Sequence, residues 1–587
     1  MRKNAKIAAI VSAAALLAIG ASMTAFAVTG WQEEDGTWVY YDRNGEQVAD
    51  KWEKSGDNWF YLDDTGEMAT DSLIEDDDNY YYVDANGAMV RNQWIAIDNE
   101  DAGDDDQPDV WWYYFQGNGK AYKNNHSSGN IFKKQINGKT YCFNDEGKMQ
   151  YGWVDKEDGQ TRYEDDAYKE CDFYFGDEND GAMTVGWREI ALTDVDDSED
   201  DQPGDNYWDE DQVRWFWFKS SGKKQTAKDN KTINGRKYGF DEWGRMIADW
   251  HSEYATKDDN TGIKDKDGNV LSSNELSRRG YKKASATNAQ INDLRDYAKS
   301  FQYFSSPESG ARYTKGWFKV VPGYYLNKGD NEDSTDRWYY ADGNGKLYAG
   351  AIKSIKGKKY AFDLKGSMIS GLAILRVDKS NNIYEYVDDE NHYDTEDAFD
   401  TFVGSDDFKK EGYGVYYFSD DADHDGTMKT GTQKVVIDGE TFTFKFKKSG
   451  TDKGRGITGL DDHKYYLGGK LLSADSDEKI KIINTTTYKT YTVSEFLTQT
   501  DAGRSLKQYQ LDDKQKIEKA SSGDTIYVLD NTDYDKAKAS CDLKETLKNY
   551  KVVNTSGAVV KNGNKKDGDG IRVVLSGESI KSIYVED

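Results

Sequence analysis

Proline is almost missing from this chain: 4 residues in 587, against 55 glycines. Such a ratio calls for many turns rather than extended linkers. Cysteine is scarce as well, and Cys142, Cys171 and Cys541 cannot build a disulfide framework. The 5 histidines never recur at a metal-ligand spacing such as His-x-x-x-His. Basic side chains are in deficit, 77 Lys and Arg against 107 Asp and Glu, for a net charge of −30. A surface of that sign disfavours nucleic acid and anionic membranes, which need a basic face. No Gly-x-Ser-x-Gly elbow and no Cys-x-x-Cys pair occurs. Gly138-Lys139-Thr140 has Lys133 where a P-loop needs its first glycine, and Gly454-Arg455-Gly456 through Gly459 lacks the strand and helix of a dinucleotide site. Among so many carboxylates a glycosidase pair is not readable from sequence, because its defining feature is separation in space.

With 36% hydrophobic and 31% charged residues, composition alone would point to disorder. The rings contradict it: 16 Trp, 42 Tyr and 22 Phe place the apolar content in aromatic side chains rather than in one large aliphatic core. The one long apolar run, residues 7–21, follows Arg2, Lys3 and Lys6 and precedes Ala25-Phe26-Ala27. That pattern reads as a secretory signal peptide over 1–27, cleaved before Val28, rather than a membrane span. With no apolar tail at the C-terminus, attachment to a surface is expected to be non-covalent, through binding.

Internal repetition sets the expected fold. Trp31, Trp52, Leu73 and Trp94 are spaced by 21 residues, and Gly45, Gly66 and Gly87 keep the same period. Units of this size cannot bury a face alone, so the sequence predicts an all-β-dominated repeat solenoid of stacked β-hairpins. Further units close at Gly119, Gly147, Gly222, Gly244, Gly345 and Gly366, with Gly181 and Gly426 ending longer turns. Strand side chains alternate, so counting back from each closing glycine separates two faces. Positions −6 and −4 are apolar throughout, as in Phe60/Leu62, Tyr81/Val83 and Tyr141/Phe143. Positions −7 and −5 carry ring pairs in six units: Trp38/Tyr40, Trp59/Tyr61, Tyr80/Tyr82, Trp112/Tyr114, Trp215/Trp217 and Trp338/Tyr340. Three other units carry Thr140/Cys142, Lys237/Gly239 and Lys359/Ala361 there. Purely structural rings would leave voids where they are lost, whereas a face that binds ligand at some units tolerates the change.

Thr29-Gly30-Trp31 through Gly45, and Ile136-Asn137-Gly138-Lys139-Thr140-Tyr141-Cys142-Phe143 through Gly147-Lys148-Met149, resemble cell-wall-binding repeats. This is the choline-binding and glucan-binding repeat superfamily of Gram-positive surface proteins, and the similarity covers about residues 29–250 and 313–470. It implies hairpins stacked as a left-handed superhelix, with ring cages between neighbours that hold the choline of teichoic acids, or with related repeats binding α-glucans. Carried over, the first cage would combine Trp31, Trp38 and Tyr61, and the second Trp52, Trp59 and Tyr82, with Leu73 breaking the third. Trp31, Trp38, Trp52 and Trp59 are the strongest candidate ligand contacts.

The remaining segments divide as 28–250 repeats, a helical spacer over 251–312, further repeats over 313–472, and a mixed α/β C-terminal region over 473–587. Ile291, Leu294, Tyr297 and Phe301 have helical spacing, a second helix is expected near 534–547, and Lys551 to Val560 echoes one degenerate hairpin. Acidic runs at 75–78, 98–109, 194–211 and 420–425 fall in hairpin turns and read as solvated loops. Asp421, Asp423 and Asp425 match half of a calcium loop, but position twelve is Thr432, so only weak calcium binding is expected and no other cofactor. The expected function is non-catalytic, multivalent binding of the cell wall or surface polysaccharide by a secreted protein. The alternatives are an adhesin or toxin-like receptor binder, and a wall- or glucan-acting enzyme with its site in the C-terminal region. Acidic loops beside the rings tilt the ligand expectation toward a neutral polysaccharide over choline, because they repel teichoic-acid phosphates.

Overall fold

A computed structural model describes residues 29–102, 107–125, 131–164, 166–192, 212–252, 295–387, 393–420, 425–510, 525–529 and 547–585. The chain divides into two compact units, residues 1–247 with 307–310, and residues 248–306 with 311–587. Both are strand-rich and built from small antiparallel sheets. The expected signal peptide, most of the calcium-like loop and the helix near 534–547 lie outside the described residues.

In the first unit, Gly30–Glu34 pairs with Thr37–Tyr41, Lys51–Ser55 with Asn58–Leu62, Ser72–Asp76 with Asn79–Val83, and Gln93–Asp98 with Val110–Phe115. Tight turns such as Asp35-Gly36 and Asn137-Gly138 hold both residues at positive φ, as the hairpin-favoured primed turn requires. The register sets each opening side chain across from the −5 ring: Trp31 faces Tyr40, Trp52 faces Tyr61 and Trp94 faces Tyr114. A second turn follows each hairpin, and after the first three it is organised by an aspartate side chain at −3. Asp42 Oδ1 accepts from the Asn44 and Glu46 amides, Asp63 from Thr65 and Glu67, and Asp84 from Asn86 and Ala88.

Consecutive hairpins are joined through the backbone. The amide two residues past a closing glycine donates to the −7 carbonyl of the preceding unit: Met68 to Trp38 at 2.7 Å, Met89 to Trp59 at 2.8 Å and Ala121 to Tyr80 at 2.8 Å. The methionine in that position then lies against the next closing glycine. A β-carbon at Gly87 would sit 2.8 Å from Met68 Sδ, and one at Gly119 would overlap the Met89 thioether. Val39, Phe60, Leu62, Tyr81, Val83, Tyr113 and Phe115 are buried, so the −6/−4 face is the packing face.

Two of the three ring-poor units have a packing explanation that the sequence did not show. Cys142 is fully buried against Val154, Phe173 and Phe175 of a four-stranded sheet, order 161–162, 152–154, 173–177, 180–183. Its side chain is small because another sheet covers it, so no void is left. Burial pushes the thiols of Cys142 and Cys171 up to about 12, which keeps both protonated and unreactive.

The second unit repeats the rule with larger inserts. Asp249–His251 pairs with Gln302–Phe304, which sets Trp250 across from Tyr303. The expected spacer is thus an insertion inside one repeat hairpin. Residues 295–300 are helical, but Gln302–Phe304 is a strand, because it closes that hairpin rather than prolonging the helix. Tyr297 and Phe301 are buried with Phe318, Leu326 and Tyr339. Trp317 and Tyr340 face each other in the next hairpin, and Met368 and Met428 donate to the Trp338 and Lys359 carbonyls. Ala361 is buried beside Ala373, Leu375 and Phe418 of a three-stranded sheet. Farther on, Lys470 clips the helix Glu396–Gly404 to a five-stranded sheet through Glu396 and Asp400 at 2.6 and 2.7 Å. The C-terminal region combines a three-stranded and a five-stranded sheet with the helix Val493–Gln499, which starts at a Thr492/Glu495 capping box. The repeat turn persists there, since Asn554 Oδ1 accepts from the Ser556 and Ala558 amides ahead of Gly557.

Substituting closing and tight-turn glycines separates backbone strain from packing. Gly138→Ala, in open space at φ +85°, is expected to cost about 1 kcal/mol. Gly119→Ala, at the same φ but against Met89 and Tyr81, is expected to cost about 1–3 kcal/mol more in urea denaturation.

Candidate ligand site on the hairpin rings

The opening tryptophans are mortar between hairpins. Trp31 packs edge-on to Tyr40 of its own hairpin and Phe60 of the next, both at 5.3 Å between ring centroids. Trp52 packs edge-on to Tyr61 and at a tilt to Tyr81 of the next hairpin, both at 5.1 Å, and its indole N–H donates to Asp76 at 3.2 Å. Trp94 contacts Tyr114, Tyr141 and Phe143; Trp153 contacts Tyr174, Phe216 and Phe218; Trp187 contacts Trp217, Tyr238 and Phe240. In the second unit Trp317 repeats this with Tyr340, Tyr360 and Phe362. Edge-to-face pairs of this kind add about 0.5–1.5 kcal/mol each beyond the area they bury.

The −7 rings are placed differently. Trp38 is half-buried, and Trp59 is 37% exposed, with no ring contact to another aromatic among the described residues for either. Trp31 therefore meets Tyr40 and Phe60 rather than Trp38 and Tyr61, and Trp52 meets Tyr61 and Tyr81 rather than Trp59 and Tyr82. Tyr80 already carries a cation: Lys123 Nζ lies 5.2 Å from its ring centroid and pairs with Asp78 at 2.7 Å. Tyr82 donates its hydroxyl to Asp71 at 2.5 Å. The later pairs Trp112/Tyr114, Trp215/Trp217 and Trp338/Tyr340 are all half-buried. Tyr114 stacks on Tyr122, Tyr340 stacks on Tyr348, and Trp215 and Trp338 stand 6.2 and 6.5 Å from Trp187 and Trp317.

Negative charge surrounds the first rings. Desolvation, then the carboxylates of Asp50, Asp76, Asp63 and Asp64, raise the Tyr61 pKa; desolvation, then the Asp71 hydrogen bond and charge, with Asp84 and Asp98 behind them, raise that of Tyr82 strongly. Both phenols stay neutral at physiological pH, and the field at these rings attracts cations. Among the described residues no cluster of three His, Cys, Asp or Glu side chains is arranged to hold a metal ion.

Residues 28–63 and 49–94 match the family model of the choline-binding repeat, so the first three hairpins are choline-binding repeats. A curated relative, Glucosyltransferase-S of Streptococcus mutans, is 28% identical over 378 residues, which is 60% of this chain and 22% of that protein. The chain thus spans about a fifth of the length of the curated relative it matches. Solved structures with some likeness include the modular autolysin LytC of Streptococcus pneumoniae in complex with a synthetic peptidoglycan ligand, at 14% identity, with 62% of this chain and 56% of that one covered and a TM-score of 0.29. Another is the choline-binding domain of CbpL from the same species, at 19% identity, with 38% and 88% covered and a TM-score of 0.23.

Sequence reasoning missed Trp153 and Trp250 as opening residues, because inserts split their hairpins. A local signal existed for the first: Gly152-Trp153 repeats the Gly-Trp step of Gly30-Trp31, Gly186-Trp187 and Gly316-Trp317. The two ring classes respond differently to truncation. Trp59→Ala is expected to change stability by less than about 0.5 kcal/mol, whereas Trp52→Ala is expected to cost about 3 kcal/mol, read by thermal and urea unfolding.

Proposed function

We propose that this is an extracellular, wall-associated protein whose hairpins, stacked as a solenoid, bind surface polymers at many points and catalyse no reaction. The observation that carries this reading is the pair of unstacked rings, Trp38 and Trp59, at the hairpins that match the choline-binding repeat, in a field of carboxylates. A quaternary ammonium on such a ring gains about 0.5–2 kcal/mol per good contact. Linking several weak sites multiplies avidity by about 10²–10⁴. The first two gaps, with Trp31, Trp38 and Tyr61 and then Trp52, Trp59 and Tyr82 around them, suit the choline of a teichoic acid. In each, the opening tryptophan serves as the wall of the site while it holds the next hairpin.

The later pairs Trp112/Tyr114, Trp215/Trp217 and Trp338/Tyr340 are spaced platforms, which suit the flat faces of a glycan chain. The likeness to a glucosyltransferase over 60% of this chain supports a glucan among the ligands. No helix among the described residues is long and apolar enough to cross a membrane, and attachment through the wall polymer fits that.

Choline added to the purified protein is expected to quench tryptophan fluorescence saturably. Trp38→Ala with Trp59→Ala should raise the apparent Kd at least tenfold, about 1.4 kcal/mol, with circular dichroism unchanged. A choline response that survives both substitutions would contradict the assignment.

A further inference from the structure

Beside the fifth hairpin, with neither Trp38 nor Trp59 in its lining, the first unit carries a polar groove of about 240 Å³. It is built where an insert meets a repeat turn. One wall is Asn144 to Lys148, the Asx turn before Gly147; the opposite wall is Gln160 to Tyr163, from the edge strand that the insert adds; Trp111 stands at one side. Trp111 lies one residue outside the ring-pair positions and has no counterpart in the repeat pattern.

The groove is organised before any ligand arrives. Gln160 donates to Asp145 Oδ1 at 3.2 Å and accepts from the Asn144 amide at 3.4 Å. Gln150 accepts from the Thr161 amide N–H at 2.7 Å and donates to the Lys148 carbonyl at 3.2 Å, which ties the two walls together. Lys148 pairs with Glu146 at 2.6 Å and holds its ammonium 5.0 Å from the Trp111 ring centroid. At most of the regular units the turn residue is an aspartate, such as Asp42, Asp63 and Asp84; here Asn144 supplies an amide donor instead.

We propose that this groove binds one neutral hexose unit of a polysaccharide. Its volume is below the usual range for drug-sized ligands and matches a single ring. Carboxylates at 145 and 146 accept hydroxyl hydrogen bonds, and the Gln160 amide and Lys148 ammonium donate to hydroxyl and ring oxygens, so a polyol satisfies both sets at once. Two carboxylates against one lysine reject an anion. The Trp111 face already carries the Lys148 ammonium, so a quaternary ammonium finds no open ring there. An apolar ligand would strand the polar walls.

The test is saturation-transfer NMR on the full chain with maltotriose, isomaltotriose and chitotriose as probes. Transfer to at least one probe is expected, with the Kd raised at least tenfold by the double substitution Asp145→Ala, Gln160→Ala. The choline response of the same variant should match that of the wild type, which separates this site from the hairpin rings and shows that the unit remains folded. Binding that the double substitution leaves unchanged would overturn the proposal, as would the absence of transfer to all three sugars.

Discussion

At Trp38, Trp59, Tyr80, Trp215, Trp338 and Lys359 a hairpin hands one backbone carbonyl to its successor, and the rest of the repeat follows from that bond. The acceptor is the −7 residue, and the donor lies two residues past the next closing glycine, so the distance between hairpins is fixed at the −7 position. The opening tryptophan must then fill the space between its own −5 ring and the −6 and −4 residues of the neighbour, as Trp52 does between Tyr61 and Tyr81. The methionine that follows the closing glycine fits only because the next glycine has no side chain. With the −7 backbone engaged, its side chain is left on the outside. A ring there is one whose replacement costs the fold little, and the proposed ligand contacts fall at that position.

Much of this was legible in the sequence, and the limits have physical causes. The closing glycines and the apolar −6/−4 pairs located the packing face, because alternation along a strand is a local property. The roles of the rings were less legible. Trp31 and Trp38 look alike in sequence, but one faces the next hairpin and the other does not, and only register distinguishes them. Units lacking rings at −5 read as gaps in a binding surface, yet Cys142 and Ala361 are covered by sheets that the chain after them builds, at 152–183 and 371–418. Trp250 and Tyr303 pair across an insert of about fifty residues, a separation at which periodicity gives no signal. The groove beside Trp111 was invisible for the same reason, since its walls come from a turn, an insert and a neighbouring hairpin.

Charge gives the ring surface its character. The net charge is −30, and carboxylates stand beside ring hydroxyls, as Asp71 does with Tyr82. The same field would attract a choline headgroup and repel the phosphate that accompanies it, so the proposed binding of a phosphocholine polymer would depend on ionic strength in a way that binding of a neutral glycan would not. At Tyr80 the chain supplies its own cation in Lys123, at the hairpin where Leu73 replaces the opening tryptophan.

The reading to test is that the −7 tryptophans meet the ligand, while the opening tryptophans hold the hairpins together and wall the site only at the first two gaps. Labelling the protein with 5-fluorotryptophan and following its fluorine spectrum during a choline titration tests this directly, with single Trp→Phe variants assigning the signals. The Trp38 and Trp59 resonances are expected to move furthest and saturate together, while those of the packing residues Trp94 and Trp187 stay in place. Shifts that are largest at Trp94 and Trp187, with Trp38 and Trp59 unmoved, would contradict it.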